Sequence, residues 1–107
     1  MSLSPTATTA IRAVALLQAK PGQEQALRDF TVGVLPSIQQ AEGLYAVEFS
    51  CSLADPAQMI LYYAWRSLAD SERYLAGPIY AQIAPRLHTL IADRSLTVAE
   101  FVWPRRA

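Results

Sequence analysis

Along the first half of the chain, apolar residues alternate in two segments and recur at helical spacing in the segment between them. Residues 12–19 are apolar on both alternating faces, so a strand here requires cover on both sides. A helix is expected next, with one apolar stripe formed by Leu27, Phe30, Val34 and Ile38. Pro36 would remove a backbone hydrogen bond, so we expect a kink or a break near Val34. The second strand is expected at residues 44–52, where one face holds Tyr45, Val47, Phe49 and Cys51.

The second half of the chain begins with a turn and a strand rich in aromatic residues. Turn formers at residues 55–58 lead into a third strand at residues 59–65, which we expect to pair with the second as an antiparallel hairpin. A helix follows at residues 68–76. Ser67, with Asp70 three positions later, approximates the capping box that opens a helix.

A second helical piece and a last strand complete the pattern. Gly77 is expected to end the preceding helix in a left-handed conformation, and Pro78 suits the first position of a helix over residues 78–92. Its buried stripe is formed by Tyr80, Ile83, Leu87 and Ile91. Pro85 should kink this helix, and the last strand is expected at residues 96–103.

This order of elements predicts the fold class. It is β-α-β-β-α-β with the second α region in two pieces, which is the α+β, ferredoxin-like split β-α-β arrangement. Such a fold has a four-stranded antiparallel sheet with helices on one face. The other face is also apolar here on the first strand. An apolar sheet face exposed to water favours association with another protein surface. We therefore expect a homodimer in which two sheets pack face to face.

Length and composition support one small domain that associates with itself. We expect residues 12–104 to form a single domain and residues 1–11 to form a flexible N-terminal arm. An apolar fraction of 52% with only 17% charged residues is high for a monomer of 107 residues, because one core cannot hide that much apolar surface.

Charge and cysteine usage exclude several classes of partner. Nine basic and nine acidic residues cancel, and the only basic run is residues 105–106, so nucleic acid is not an expected partner. Cys51 is the only cysteine, which excludes an intramolecular disulfide and a multi-thiolate zinc site, and favours a cytoplasmic location. No apolar segment approaches the roughly 18 residues of a membrane span, and the Ser/Thr-rich start lacks the features of a signal peptide.

Four groups of residues, taken in order, carry a family resemblance. They are residues 19–27 at the first strand-helix junction, Glu42-Gly43 with Glu48-Phe49 around the second strand, the run from Asp55-Pro56 to Trp65 and Ser67, and Gly77-Pro78 with Tyr80. Over residues 13–101 the chain resembles the antibiotic biosynthesis monooxygenase (ABM) domain family of the dimeric α/β-barrel superfamily.

The resemblance implies a dimer with one ligand pocket per subunit between sheet and helices. Characterised relatives oxidise quinols and polycyclic phenols with molecular oxygen and no added cofactor, while others cleave haem or isomerise small signalling sugars. The implied function is therefore a cofactor-independent monooxygenase that acts on a small planar phenol or quinol without metal or flavin. Because a deprotonated phenol can itself reduce oxygen, such a site needs a base, a dry aromatic wall and donors for the developing oxyanion.

The chain departs from the family pattern at positions that would carry chemistry. It contains no asparagine, whereas the oxygenase and haem-cleaving relatives pair an asparagine with the tryptophan that corresponds to Trp65. Ser50 and Ile79 stand where many relatives carry histidine. These departures argue against haem cleavage. They also favour an alternative function, a non-enzymatic small-molecule-binding or stress-response dimer of the same fold.

Three aromatic residues are the candidates for binding a small aromatic molecule. Trp65 is expected either to pack in the core or to stack on a ligand, and the two roles are compatible. Tyr63 shares its face of the strand, whereas Tyr62 points to the other face. Tyr80, near the helix break, can offer its hydroxyl to the edge of a ligand.

Two residues are the candidate proton acceptors. His88 is the only histidine. It is expected to be either a proton acceptor or a partly exposed residue with a structural role. Glu48 lies among apolar neighbours in a strand, so it either pairs with Arg12 or Arg66 or acts as a general base with a raised pKa. Cys51 has no neighbouring base or cation in sequence and is expected to pack as an apolar side chain.

Overall fold

Four strands and three helices alternate in the order that the sequence pattern predicts. The computed structural model describes residues 8–104. The elements are β1 (Ile11–Ala19), α1 (Glu24–Ile38), β2 (Leu44–Cys51), β3 (Gln58–Trp65), α2 (Leu68–Ala76), α3 (Pro78–Leu90) and β4 (Ile91–Glu100). The predicted ferredoxin-like α+β fold is confirmed. Residues 1–7 of the expected N-terminal arm lie outside the described residues, and β1 begins at Ile11.

The sheet is antiparallel throughout, with strand order β2-β3-β1-β4. Its register aligns Val47, Tyr63, Ala13 and Val98 in one row across the four strands. Because directly paired residues project from the same face, this row and every second row along the sheet face the helices. We call that face the inner face and the opposite one the outer face.

The core lies between the inner face and the helices. The strands bury Ile11, Leu17, Met59 and Trp65 there, and the helices contribute Leu27, Ile38, Ile83, Leu87 and Leu90. The outer face carries a second apolar group at its centre, which comprises Val14, Leu16, Ile60 and Tyr62. Leu16 is 37% exposed. The expectation that β1 is apolar on both faces therefore holds in the folded chain.

Both helices with internal prolines are continuous. α1 extends through Pro36 to Ile38, so the break expected near Val34 does not occur. Pro36 lies in the last turn, where the backbone N–H of Gln39 donates to the carbonyl of Leu35 at 2.9 Å and closes the helix. α3 likewise runs through Pro85.

The junction of α2 and α3 differs from the sequence prediction. Gly77 is extended (φ −98°, ψ 179°) rather than left-handed, because it also serves as the N-cap residue of α3, where extended backbone is typical. A Cβ at this position would lie 2.8 Å from the carbonyl oxygen of Arg73. The requirement for glycine is therefore steric. Pro78 occupies the first turn of α3, as expected.

The last strand begins earlier than expected. α3 ends at Leu90 and β4 starts at Ile91, five positions before the expected start at residue 96, and it ends at Glu100. Pairing with β1 extends the strand, since Gln18 pairs with Asp93 and Leu17 with Arg94. Tertiary pairing overrides local preference here.

A bulge changes the face assignment at the start of β2. Leu44 pairs with Trp65 and Ala46 with Ala64, so the register shifts between them, and Tyr45 at the shift is 54% exposed. The strict alternation expected from residue 44 onward is therefore interrupted at Tyr45. Within residues 8–104, none of the three helices has the length and hydropathy that a membrane-spanning helix requires.

Candidate functional site

A cavity of about 340 Å³ lies between the inner face and helices α2 and α3. It arises because β1 carries small side chains at the centre of the sheet. Ala13 lies between Tyr63 and Val98, and Ala15 lies between Leu61 and Leu96. A volume near 300 Å³ is at the lower end of the range for small-molecule sites. The cavity therefore suits a small ligand.

The wall formed by β3 and α2 is aromatic. Trp65 and Tyr63 stack with ring centroids 6.1 Å apart and planes 18° apart. Tyr74 packs against Trp65 at 5.5 Å and against Tyr80 at 5.7 Å. All four rings line the cavity, which we call the aromatic cavity. Trp65 is only 2% exposed, so it serves as a core residue and as cavity lining at once.

The two most buried tyrosines stay protonated at neutral pH. Burial raises the pKa of Tyr63 to about 12, partly offset by a hydrogen bond that its hydroxyl shares with that of Tyr74. Burial, reinforced by Tyr63, also raises the pKa of Tyr74 far above its ordinary value. Both hydroxyls are thus neutral, and because one O–H proton lies between them, the pair has one O–H left to donate to a ligand oxygen.

A buried carboxylate holds the start of α2 in place. The backbone N–H of Asp70 donates to the Ser67 hydroxyl at 3.1 Å, which confirms the predicted cap. The Asp70 side chain is 2% exposed and accepts two hydrogen bonds of 2.9 Å from Arg66 and one of 2.7 Å from Arg73. Hydrogen bonds from these donors hold the pKa of Asp70 well below its usual range, and the largest contribution comes from Arg66.

The same group of residues ties α2 to the loop before β2. Arg73 also donates to Glu42 at 2.6 Å, and the backbone N–H of Arg66 donates to the carbonyl of Gly43 at 2.7 Å. Gly43 has φ +80°, and a Cβ there would clash with the Asp70 carboxylate. We call Glu42, Arg66, Asp70 and Arg73 the Asp70 cluster. The sequence pattern predicted only a capping role for Asp70. Its spacing of four residues from Arg66 also indicates an ion pair on one helix face.

Arg94 is the one charged side chain among the described residues that line the aromatic cavity. It lies on the inner face of β4 opposite Leu17, and its Nη1 donates to the Tyr80 hydroxyl at 2.6 Å. The sequence pattern did not point to Arg94, because the last strand was expected to start at residue 96 and not at Ile91. Alternation along the strand would otherwise have placed it on the same face as Leu96 and Val98.

The structure brings together three of the five site residues predicted from sequence. Trp65, Tyr63 and Tyr80 line the aromatic cavity. Glu48 pairs with Tyr62 on the outer face of the sheet, and His88 is exposed on α3; neither lines the cavity. A proton-acceptor role for either one therefore has no geometric support at this cavity.

The ion pairs expected for Glu48 are also absent from residues 8–104. Arg12 places its guanidinium 4.0 Å from the centre of the Phe101 ring, and Arg66 is bound to the Asp70 cluster. Glu48 is exposed on the outer face, where water solvates a carboxylate without a partner.

The two positions at which the family resemblance implied histidine lie away from the aromatic cavity. Ser50 is exposed on the outer face of β2, and Ile79 lines a smaller depression of about 140 Å³ beside the Asp70 cluster. No group of three or more His, Cys, Asp or Glu side chains within residues 8–104 is arranged to hold a metal ion.

The fold and the cavity define a ferredoxin-like α+β domain with an aromatic cavity under its helices. The family model for antibiotic biosynthesis monooxygenases matches residues 10–86. The chain belongs to this family. No curated protein matches the chain.

Solved structures share the fold over nearly the whole chain. A protein of unknown function from Nitrosomonas europaea is 25% identical with a TM-score of 0.78, and the match covers 95% of this chain and 98% of that one. A Mycobacterium tuberculosis protein is 15% identical with a TM-score of 0.82, covering 92% and 100%. A candidate antibiotic biosynthesis monooxygenase from Deinococcus radiodurans is 21% identical with a TM-score of 0.80, covering 91% and 97%.

Proposed function

We propose that this protein is a cofactor-independent monooxygenase that oxidises a small planar phenol or quinol with molecular oxygen. Its membership of the antibiotic biosynthesis monooxygenase family supports this activity. The observation that carries the proposal is the aromatic wall of the cavity, in which Trp65 and Tyr63 stack almost parallel beside about 340 Å³ of space. A flat aromatic ligand can extend that stack, and each such contact is worth about 1 kcal/mol beyond the area that it buries.

The chemistry requires no electron source besides the substrate. A phenolate transfers electrons to oxygen, one oxygen atom becomes a ring carbonyl, and the other leaves as water, so phenol and oxygen give quinone and water. The hydrogen-bonded pair of neutral hydroxyls on Tyr63 and Tyr74 has one O–H left to donate to the oxyanion that develops on the substrate. The apolar wall excludes water from the reacting carbon.

Oxygen uptake with a panel of hydroquinones and naphthols tests the proposal. The matched variants are Trp65→Phe, which keeps an aromatic ring in the wall, and Trp103→Phe, which alters a tryptophan that is 76% exposed and outside the cavity lining. We expect Trp65→Phe to lower kcat/KM roughly three- to tenfold, which corresponds to about 1 kcal/mol of stacking. Trp103→Phe should leave it unchanged.

The proposal is wrong if the wild-type protein consumes no oxygen above the uncatalysed rate with any member of the panel. It is also wrong if Trp103→Phe lowers turnover as much as Trp65→Phe does, because the site would then lie elsewhere.

A non-enzymatic small-molecule-binding dimer is the second candidate. The observation that favours it is that neither a carboxylate nor an imidazole is found among the described residues that line the aromatic cavity. Saturable binding of naphthols that quenches tryptophan fluorescence, without oxygen consumption, would support this candidate against the first.

We further propose that the outer face packs against a second copy of the chain. Its central apolar group, which includes Leu16, Ile60 and Tyr62, would otherwise face water. Because the formal net charge is zero, two copies do not repel each other through their overall charge. Sedimentation analysis should show a dimer for wild type and a monomer for Leu16→Glu. The control is Leu53→Glu, which alters a fully exposed leucine in the turn before β3. A wild-type monomer contradicts this proposal.

A further inference from the structure

The β4 side of the aromatic cavity has a single positive charge and no negative one. Arg94 is its only charged lining residue among those that the structure describes. We propose that Arg94 favours the ionised form of a phenol bound in this cavity, and so selects phenols over the corresponding neutral ethers. The inference rests on the proposed function, since it names the form of the substrate that the same site recognises.

Arg94 already binds one phenolic oxygen of the protein, which shows how it can bind the oxygen of a phenol ligand. The hydroxyl of Tyr80 lies 2.6 Å from Nη1 of Arg94 and accepts its hydrogen bond. That contact uses one N–H of a guanidinium that carries several. A ligand ring that stacks on the aromatic wall can therefore direct its own oxygen to the remaining donors.

The surroundings of Arg94 leave its charge available to a ligand. β1 presents only apolar side chains to the cavity. The titratable groups that β3, α2 and α3 present to it are Tyr63, Tyr74 and Tyr80. The nearest carboxylate along β4 belongs to Asp93, whose position alternates to the outer face. Its Oδ1 accepts from the backbone N–H of Arg94 at 2.9 Å. No carboxylate thus stands between the guanidinium and the cavity.

Solvent access sets the size of the effect. Leu96 and Val98, which flank this part of the cavity, are 50% and 46% exposed, so water partly screens the charge. A cation within about 4–6 Å lowers the pKa of an acid by roughly 1–3 units, and partial exposure favours a shift of about one unit. The phenol O–H bond breaks, its electron pair stays on oxygen, and its proton passes to solvent on the β4 side. Arg94 contributes its charge and takes no part in the proton transfer.

The experiment is a pH titration of 4-nitrophenol, whose visible absorption distinguishes phenolate from phenol, with and without saturating protein. We expect the wild-type protein to lower the apparent pKa of the bound probe by about one unit. Arg94→Gln should restore the value found in free solution, and Arg94→Lys should keep most of the shift. Arg86→Gln is the matched control, because Arg86 also donates to a hydroxyl, that of Thr89 at 3.4 Å, but lies outside the cavity.

A second probe separates charge from shape. The neutral ether 4-nitroanisole should bind wild type and Arg94→Gln with equal affinity. The inference is contradicted if wild type leaves the titration of 4-nitrophenol unchanged, if Arg94→Gln shifts it as much as wild type does, or if the ether loses affinity in that variant. Since the titration involves no oxygen consumption, it can fail while the oxygenase activity is present, and it can succeed in a protein that only binds phenols.

Discussion

The two sides of the aromatic cavity are built differently. On the α2 side, the Asp70 cluster joins a helix start to the loop before β2 through a carboxylate that is almost fully buried. On the β4 side, every residue from position 92 to position 100 is exposed, including the two apolar residues that line the cavity. The α2 side thus has a buried polar cluster beside the aromatic wall. The β4 side is open to solvent and carries the one charged side chain among the described residues that line the cavity.

The largest effect is expected at the Asp70 cluster. Asp70→Ala removes the carboxylate that accepts hydrogen bonds from Arg66, Ser67 and Arg73, and it leaves both arginines without their buried partner. This change should lower the free energy of unfolding by about 2–4 kcal/mol. Urea denaturation measures this loss. Asp29→Ala is the control, because Asp29 accepts one hydrogen bond from Gln25 on the exposed face of α1. A loss of similar size in both variants would mean that the buried Asp70 carboxylate stabilises the fold no more than an exposed one does.

Two glycines with positive φ provide a sharper test of the same contact. Gly43 has φ +80° and a Cβ there would clash with Asp70, whereas Gly22 has φ +83° and open space around it. Alanine at either position adds backbone strain of about 1–2 kcal/mol. Gly43→Ala should lose at least about 1 kcal/mol more than Gly22→Ala, because only the first also displaces the buried carboxylate. Equal losses in urea denaturation would mean that Asp70 moves aside without cost.

Acid pH should weaken the α2 side selectively. The pKa of Asp70 is lowered in the folded protein, mainly by hydrogen bonds from Arg66. Its contribution to stability is therefore complete above the unfolded-state pKa of about 4 and is lost as the pH falls through the lower folded-state pKa. The difference in unfolding free energy between wild type and Asp70→Asn should be constant near neutral pH and shrink below about pH 4. A difference that persists unchanged at about pH 2 contradicts this assignment.

The smallest effect is expected on the β4 side. Val98→Thr replaces a half-exposed apolar side chain on an edge strand with one of similar shape and high strand preference. We expect a change in unfolding free energy of no more than about 0.5 kcal/mol. A loss of more than about 2 kcal/mol would show that this side is packed as tightly as the core.

Within the candidate site, the sequence predicted the aromatic wall but not the charged groups around it. Tyr63 and Trp65 share a face because side chains alternate along a strand, and that rule depends only on residues two apart. The relation of Glu48 to the cavity depends instead on which face of the sheet the helices cover. Arg94 enters the site only through the pairing of β4 with β1, which no spacing within residues 91–100 encodes.

The sequence by itself determined the order of the elements, the ferredoxin-like class, the Ser67 cap and the family, because each depends on short-range spacing or on the order of motifs. Only the tertiary structure decided the bulge at Tyr45, the early start of β4 and the pairing of Glu42 with the arginines beside Asp70. These features depend on register and contact between segments that are distant in the chain. Local patterns specify which face of an element is apolar, but only the folded chain decides what that face meets.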